Sequence, residues 1–152
     1  MPKEDVKDLT IFLAPFPLAV QETALWLRAF VWDLYPESNE LIYDNYNALA
    51  FGFALSDKLA DTFCSVAVYA KHVNFGFNRG SEIADPEKML SGQGSQYRYL
   101  PVPDTNNFPK EYVSKLLDEA YTNALSRLKP GKTVLKGETI TKSISPNKRR
   151  PG

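Results

Sequence analysis

The 152-residue chain contains one cysteine, Cys64, and one histidine, His72. A single cysteine excludes an intrachain disulfide and favours a reducing compartment over secretion. One cysteine and one histidine cannot supply the ligands of a zinc site. Any Ser-His or Cys-His catalytic pair would have to use His72. We therefore favour a non-catalytic protein, although the sequence leaves an enzymatic activity open.

The chain also lacks long apolar runs and the features of a leader. No apolar run approaches the length needed to cross a membrane. The chain begins Met-Pro-Lys-Glu-Asp, whereas a signal peptide has a basic start followed by an apolar segment. We therefore expect a cytoplasmic protein with no membrane partner.

The chain has no net charge overall, but its charged residues are unevenly distributed. Seven of the 18 basic residues and one of the 18 acidic residues lie in residues 129–152, which gives that segment +6 and residues 1–128 a net charge of −6. We predict a single domain over residues 1–128 and a basic, disordered tail over 129–152. The tail has no aromatic residues to stack on bases, so we do not expect nucleic-acid binding.

The stretch from Phe63 to Asn78 predicts a β-hairpin that turns at Ala70 and Lys71. Side chains alternate between the two faces of a strand. Pairing Tyr69 with His72 places the bulky side chains on a core face (Cys64, Val66, Val68, Val73, Phe75 and Phe77). The other face then carries small residues, with Tyr69, His72 and Asn74 standing above them. Ser65 shares that face but lies opposite Gly76, too far from His72 for a catalytic pair.

The run from Leu49 to Leu55 repeats this pattern, because large apolar residues alternate with alanine and glycine. Two separate stretches therefore predict the same small-residue sheet face. Further strands are predicted over 40–43 and 96–102, the last at a sheet edge because of Pro101 and Pro103. Helices are predicted over 5–13, 17–34 and from about 107 to 128, with a short one starting at Pro86. The sequence thus predicts an α+β fold, in which an antiparallel sheet of about five strands packs against helices on one face.

Several motifs appear in a definite order along the chain. They are Leu27-Arg28, Tyr35-Pro36-Glu37, the run from Glu40 to Asp44, the run from Val68 to Asn74, Arg79-Gly80, Asp85-Pro86, the run from Leu90 to Gly94, and Arg98. Together they resemble the YdhG-like family, a domain of unknown function that is widespread in bacteria. The resemblance spans roughly Leu9 to Leu125, and the basic tail lies outside it. It implies a compact two-layer domain of frataxin-like architecture. Because some members are described as iron chaperones, it also implies iron as a ligand.

Four carboxylates are the candidate ligands for iron, which in this setting would need hard oxygen donors. Asp33, Glu37, Glu40 and Asp44 cluster around the junction between the first long helix and the first strand. Glu40 and Asp44 would point to the same side of that strand. The simpler alternative is a solvated acidic edge, and both interpretations remain open.

A second candidate site would bind a small anion or metabolite. Free N–H groups in the turn that contains Gly92 and Gly94 could hold an anion, and Arg79 and Arg98 could add bidentate charge. Tyr69, His72 and Asn74 would lie nearby on the small-residue face. In the alternative interpretation, the glycines satisfy turn geometry and the arginines pair with Glu82 or Asp85.

The sequence thus favours a non-catalytic binding or carrier module for a metal ion or small ligand. Weak iron binding through carboxylates is the first hypothesis, and binding of a small anion or metabolite is the second. A third hypothesis makes the small-residue face the interface of a homodimer, since alanine and glycine let another surface approach closely.

Overall fold

The computed structural model describes residues 7–45, 48–129 and 131–145. Its helices and strands are, in chain order, α1 (Lys7–Leu13), α2 (Leu18–Leu34), β1 (Asn39–Asp44), β2 (Leu49–Ala54), β3 (Thr62–Val68), β4 (Val73–Phe77), β5 (Arg98–Pro101), α3 (Lys110–Arg127) and β6 (Thr139–Ile144). Single 3₁₀ turns span Leu59–Asp61 and Gly80–Glu82. The predicted helix start at Asp5 and the tail beyond Ser145 lie outside the described residues.

The strands form one sheet in the order β5-β4-β3-β2-β1-β6. Neighbours among β1 to β5 are antiparallel, whereas β6 runs parallel to β1. The α+β class is confirmed. The sheet nevertheless has six strands and is mixed, where we predicted about five antiparallel strands. The additional strand comes from the segment that we predicted to be disordered.

The segment that carries β6 is held by side chains of β1, which explains why its own sequence gave little sign of a strand. The Asn39 amide donates to the carbonyl of Val134, and its oxygen accepts from the N–H groups of Lys136 (3.1 Å) and Glu138 (3.4 Å). The Glu40 N–H donates to the carbonyl of Glu138 at 2.8 Å. The prediction of disorder is therefore wrong for residues 139–144. Their hydrogen-bonding partners in β1 lie about a hundred positions earlier in the chain.

The core lies between the sheet and the helices, all on one side of the sheet. Bulky side chains from adjacent strands form its central row, which contains Ile42, Phe51, Val66 and Phe75. The apolar stripes of α2 and α3 pack against this row (Val20, Ala24, Leu27, Val31, Val113, Leu117, Ala120 and Ala124). Leu34 continues the spacing of the α2 stripe but is 44% exposed, whereas Trp32 lies off the stripe and is buried. The Trp32 indole N–H donates to the carbonyl of Ser38 at 2.7 Å, which satisfies its one polar group inside the core.

The predicted short helix at Pro86 is replaced by turns. The Asp85 carboxylate accepts hydrogen bonds from the N–H groups of Met89 (3.1 Å) and Leu90 (2.9 Å) and from the hydroxyl of Tyr112. Asp85 therefore organises an irregular loop against α3 instead of capping a helix. Across the described ranges, none of the helices combines the length and the apolar character needed to cross a membrane.

A buried ion pair joins α2 to the sheet. Arg28 Nε donates to Glu40 Oε2 at 2.8 Å, and the two side chains are 5% and 0% exposed. The Thr139 hydroxyl donates to the other Glu40 oxygen at 2.9 Å, and the Arg28 guanidinium lies over the Trp32 ring. One carboxylate thus links a helix, β1 and β6 in the protein interior.

Glu40→Gln should destabilise the protein strongly, because it leaves the Arg28 charge buried without a counter-charge. Loss of one partner of a buried pair costs about 3–5 kcal/mol. The free energy of unfolding, measured by urea denaturation, should fall by that amount. Glu82→Gln is the matched control, since Glu82 pairs with Arg79 and Arg127 at the surface and its loss should cost less than about 1 kcal/mol. Equal losses in the two variants would contradict this assignment.

Candidate ligand site on the small-residue face

The four carboxylates predicted to bind iron are not brought together. Asp33 and Glu37 are exposed, whereas Glu40 and Asp44 are buried. Glu40 and Asp44 do share one side of β1, as predicted, but their cross-strand partners Phe53 and Leu49 show that this is the core side. Glu40 is already bonded to Arg28 and Thr139. In the described ranges, no three His, Cys, Asp or Glu side chains are grouped as a metal site requires.

The residues predicted to bind a small anion divide into two groups. Arg79 donates to Glu82 at 3.1 Å, the pairing that the alternative interpretation foresaw. Arg98 donates to the carbonyls of Gly94 (2.7 Å) and Tyr97 (2.8 Å) and closes the turn that contains Gly92. Arg98 also pairs with Phe77 across β4 and β5, which puts it on the core side at the sheet edge. The arginines and glycines therefore do not face Tyr69, His72 and Asn74.

Those three residues do lie on the predicted small-residue face, the side of the sheet opposite the helices. The Tyr69 N–H donates to the carbonyl of His72 at 2.9 Å, and Val68 pairs with Val73, so the predicted hairpin register is confirmed. Two rows of side chains cross this face. One contains Tyr43, Ala50, Ala67 and Asn74, and the next contains Leu41, Gly52, Ser65, Gly76 and Tyr99. From β2 to β4, the only side chain in these rows that is larger than serine is Asn74.

Aromatic side chains stand on two flanks of these rows. Tyr69 and His72 stack with ring centroids 4.5 Å apart and planes inclined by 12°. Tyr97 and Tyr99 are stacked at 6.0 Å and 21°. Tyr97 and Tyr99 belong to the strand predicted over 96–102 but were not among the predicted site residues. The sequence feature that could have identified them is Gly76, which pairs directly with Tyr99.

The Tyr97 ring covers Gly76. A Cβ atom at position 76 would lie 2.2 Å from the Tyr97 hydroxyl oxygen and 2.5 Å from Cζ. The Tyr97 hydroxyl lies beside the Ser65 side chain, and desolvation of the hydroxyl, with a smaller contribution from Tyr69, raises the pKa of Tyr97 to about 12. Because Ser65 lies opposite Gly76 and beside Tyr97, the structure gives no Ser65–His72 pair.

Two further hydroxyl groups on this face are buried without a hydrogen-bond partner in the part of the chain that the structure describes. Thr62 is 2% exposed, and its methyl carbon lies 2.8 Å from the position of a Cβ on Gly52. The hydroxyl of Tyr43 is the second, and desolvation raises the pKa of Tyr43. Buried polar groups normally have partners, so these two hydroxyls mark the face as a place where a polar partner would be favourable.

Searches against protein-family models, curated proteins and solved structures found no match to this chain. The resemblance to the YdhG-like family therefore stays a prediction. The side chains of the small-residue face are therefore the basis for a functional proposal.

Gly76→Ala should displace the Tyr97 ring, because the added methyl group would overlap it. Other tyrosines, Tyr43 among them, also have raised pKa values, so the Tyr97 component is the part of the ultraviolet titration that Tyr97→Phe removes. In Gly76→Ala this component should move from near pH 12 toward pH 10, the ordinary pKa of tyrosine. In the native chain, the raised pKa of Tyr97 means that the folded state keeps the hydroxyl proton to a higher pH than the unfolded state does. The free energy of unfolding should therefore fall as pH rises from 10 to about 12.

Gly94→Ala is the control for this experiment. A Cβ atom at position 94 meets no other atom within 4 Å, so the component near pH 12 should be unchanged. A Gly76→Ala protein that keeps this component would show that Tyr97 does not occupy the position described.

Proposed function

We propose that the protein is a non-catalytic binding module that holds a small, uncharged metabolite on the small-residue face. The observation that carries this proposal is the floor formed by Ala50 and Ala67. In the row that crosses the sheet, Tyr43 lies at one end of this floor and Asn74 at the other. Tyr69 follows the last residue of β3, and Ser65 and Tyr97 lie on the opposite side of the row.

The chemistry of this floor favours a neutral ligand with apolar and polar parts. Methyl groups provide the base, while hydroxyl and amide groups lie at the margins, which is the usual composition of small-molecule sites. Arg79 and Arg98, which would favour an anion, are bonded elsewhere. Ala50 is half-buried, and Ala67 is 9% exposed.

Iron binding, our first hypothesis from sequence, receives less support from this geometry. Its four carboxylates are divided between the protein surface and the core, and Glu40 is neutralised by Arg28. Iron at Glu40 would have to displace an arginine from a site that excludes water. We therefore place the function on the opposite face of the sheet.

A fragment screen by ¹H–¹⁵N correlation NMR tests the proposal. Neutral, ring-containing fragments added to the full chain should shift the amide signals of Ala50, Ala67 and Asn74. Ala50→Leu should weaken binding at least about tenfold, which corresponds to about 1.4 kcal/mol, because the larger side chain fills the floor. Ala60→Leu, at an exposed position in the 3₁₀ turn after β2, should leave binding unchanged.

Three results would overturn the proposal. They are the absence of any bound fragment, signals that shift only away from this face, and binding that Ala50→Leu leaves intact. The homodimer hypothesis predicts a different outcome, in which the same amide signals move with protein concentration alone and sedimentation shows a dimer. That result would assign the face to a second copy of the chain.

A further inference from the structure

We infer that a basic cleft beside the connection between β2 and β3 binds a small phosphorylated molecule. The cleft lies between this connection and the segment that joins α3 to β6, and its volume is about 430 Å³. None of its lining residues belongs to the small-residue face, so this inference does not depend on the proposed function.

Basic side chains predominate in this cleft, although the surrounding domain is acidic. The lining contains four bases and two acids, which are Lys58, Arg127, Lys129 and Lys132 on one side of the balance and Asp57 and Asp61 on the other. The lining therefore has a net charge of +2, whereas residues 1–128 as a whole carry −6. Like charges that are held close together repel one another, so a bound anion would stabilise this arrangement.

The three lysines of the cleft are not neutralised by the protein. Within the ranges that the structure describes, none of their ammonium groups forms an ion pair or a hydrogen bond. The Asp61 carboxylate, which could have compensated them, instead accepts a hydrogen bond from the Ser56 hydroxyl at 2.5 Å. The lysine charges are therefore free to bind a ligand.

Arg127 adds a positive charge that is only partly compensated. Its guanidinium donates to Glu82 at 3.3 Å, but the same carboxylate also accepts from Arg79 at 3.1 Å. Desolvation, followed by the charge of Arg79, lowers the pKa of Arg127. One carboxylate between two guanidiniums leaves an excess of positive charge on this side of the cleft.

Hydrogen bonds fix the two walls of the cleft relative to each other. The Val134 N–H donates to the carbonyl of Leu55 at 2.8 Å, and the Lys142 ammonium donates to the carbonyl of Asp57 at 2.9 Å. These bonds hold the segment that contains Lys129 and Lys132 beside the turn that contains Lys58. The cleft is therefore formed by the docking of the C-terminal segment on the sheet.

A phosphate group suits this cleft better than a carboxylate does. A phosphate monoester carries about 1.5 to 2 negative charges at neutral pH, which matches the net charge of the lining, and lysine binds phosphate as a point charge. Leu128 is half-buried and Val134 is 42% exposed, so both offer apolar contact to the remainder of a small molecule. The volume lies in the range of small-molecule sites, roughly 300–1,000 Å³.

Pyrophosphate, inorganic phosphate and acetate are the probes for this inference. Each is titrated into the full chain and followed by ¹H–¹⁵N correlation NMR. Pyrophosphate should bind most tightly and acetate most weakly, in the order of their charge. The amide signals of Ser56, Lys58, Lys129 and Lys132 should shift to saturation, and the Kd should rise as sodium chloride is added.

The double variant Lys129→Gln/Lys132→Gln removes two of the cations and keeps most of the side-chain length. Loss of one exposed ion pair changes a Kd by up to about fivefold, so the double variant should raise the Kd for pyrophosphate at least about tenfold. The matched control is Lys115→Gln/Lys136→Gln, which makes the same change in net charge at exposed positions outside the cleft. This control should bind pyrophosphate as the native chain does.

Four results would overturn the inference. Pyrophosphate that fails to bind with saturation would remove the site, and an equal loss of affinity in the control variant would show a response to net charge alone. Acetate that binds as tightly as pyrophosphate would contradict the phosphate class. A glutamate-rich peptide that binds more tightly than pyrophosphate would assign the cleft to an acidic protein partner.

Discussion

The alternation of large and small side chains in β2, β3 and β4 is the constraint on which both the core and the candidate site depend. Phe51, Val66 and Phe75 occupy one row and face the helices, so the residues beside them must face the other way. A slip of one residue would bring aromatic rings to the outer face and alanines into the core. The burial that fixes the register therefore also places the small residues of these strands on the outer face.

The parts of the fold that could be predicted from the sequence are those set by local periodicity. The hairpin from Phe63 to Asn78 has its predicted register, and the apolar stripes of α2 and α3 lie in the core. In each case the pattern repeats several times within one element, so a single exception such as Leu34 does not change the interpretation.

The parts that could not be predicted depend on partners far away in the chain. The strand at Thr139–Ile144 has few apolar residues and is held by Asn39 and Glu40. The role of Glu40 was hidden for another reason, because Arg28 is only 12 positions earlier but lies on a helix, and a strand-borne carboxylate appears solvated until the fold places a buried arginine beside it. Of the residues predicted for the second candidate site, Tyr69, His72 and Asn74 share one face of the sheet, whereas Arg79 and Arg98 bond to other groups of the protein. Tyr97 entered the site only through its contact with Gly76.

The parallel pairing of β6 with β1 has a consequence for how the protein is made. Glu40 and Thr139 are 99 positions apart, so a ribosome must add nearly a hundred residues between these two partners. During that time the backbone groups along the outer edge of β1 have no strand to bond, and such an edge can pair with another chain. Pairing between strands that are far apart in sequence is also slow, because the entropy of closing the long loop opposes it. Nascent chains are therefore most exposed to misassembly at β1, until the last strand emerges and closes the sheet.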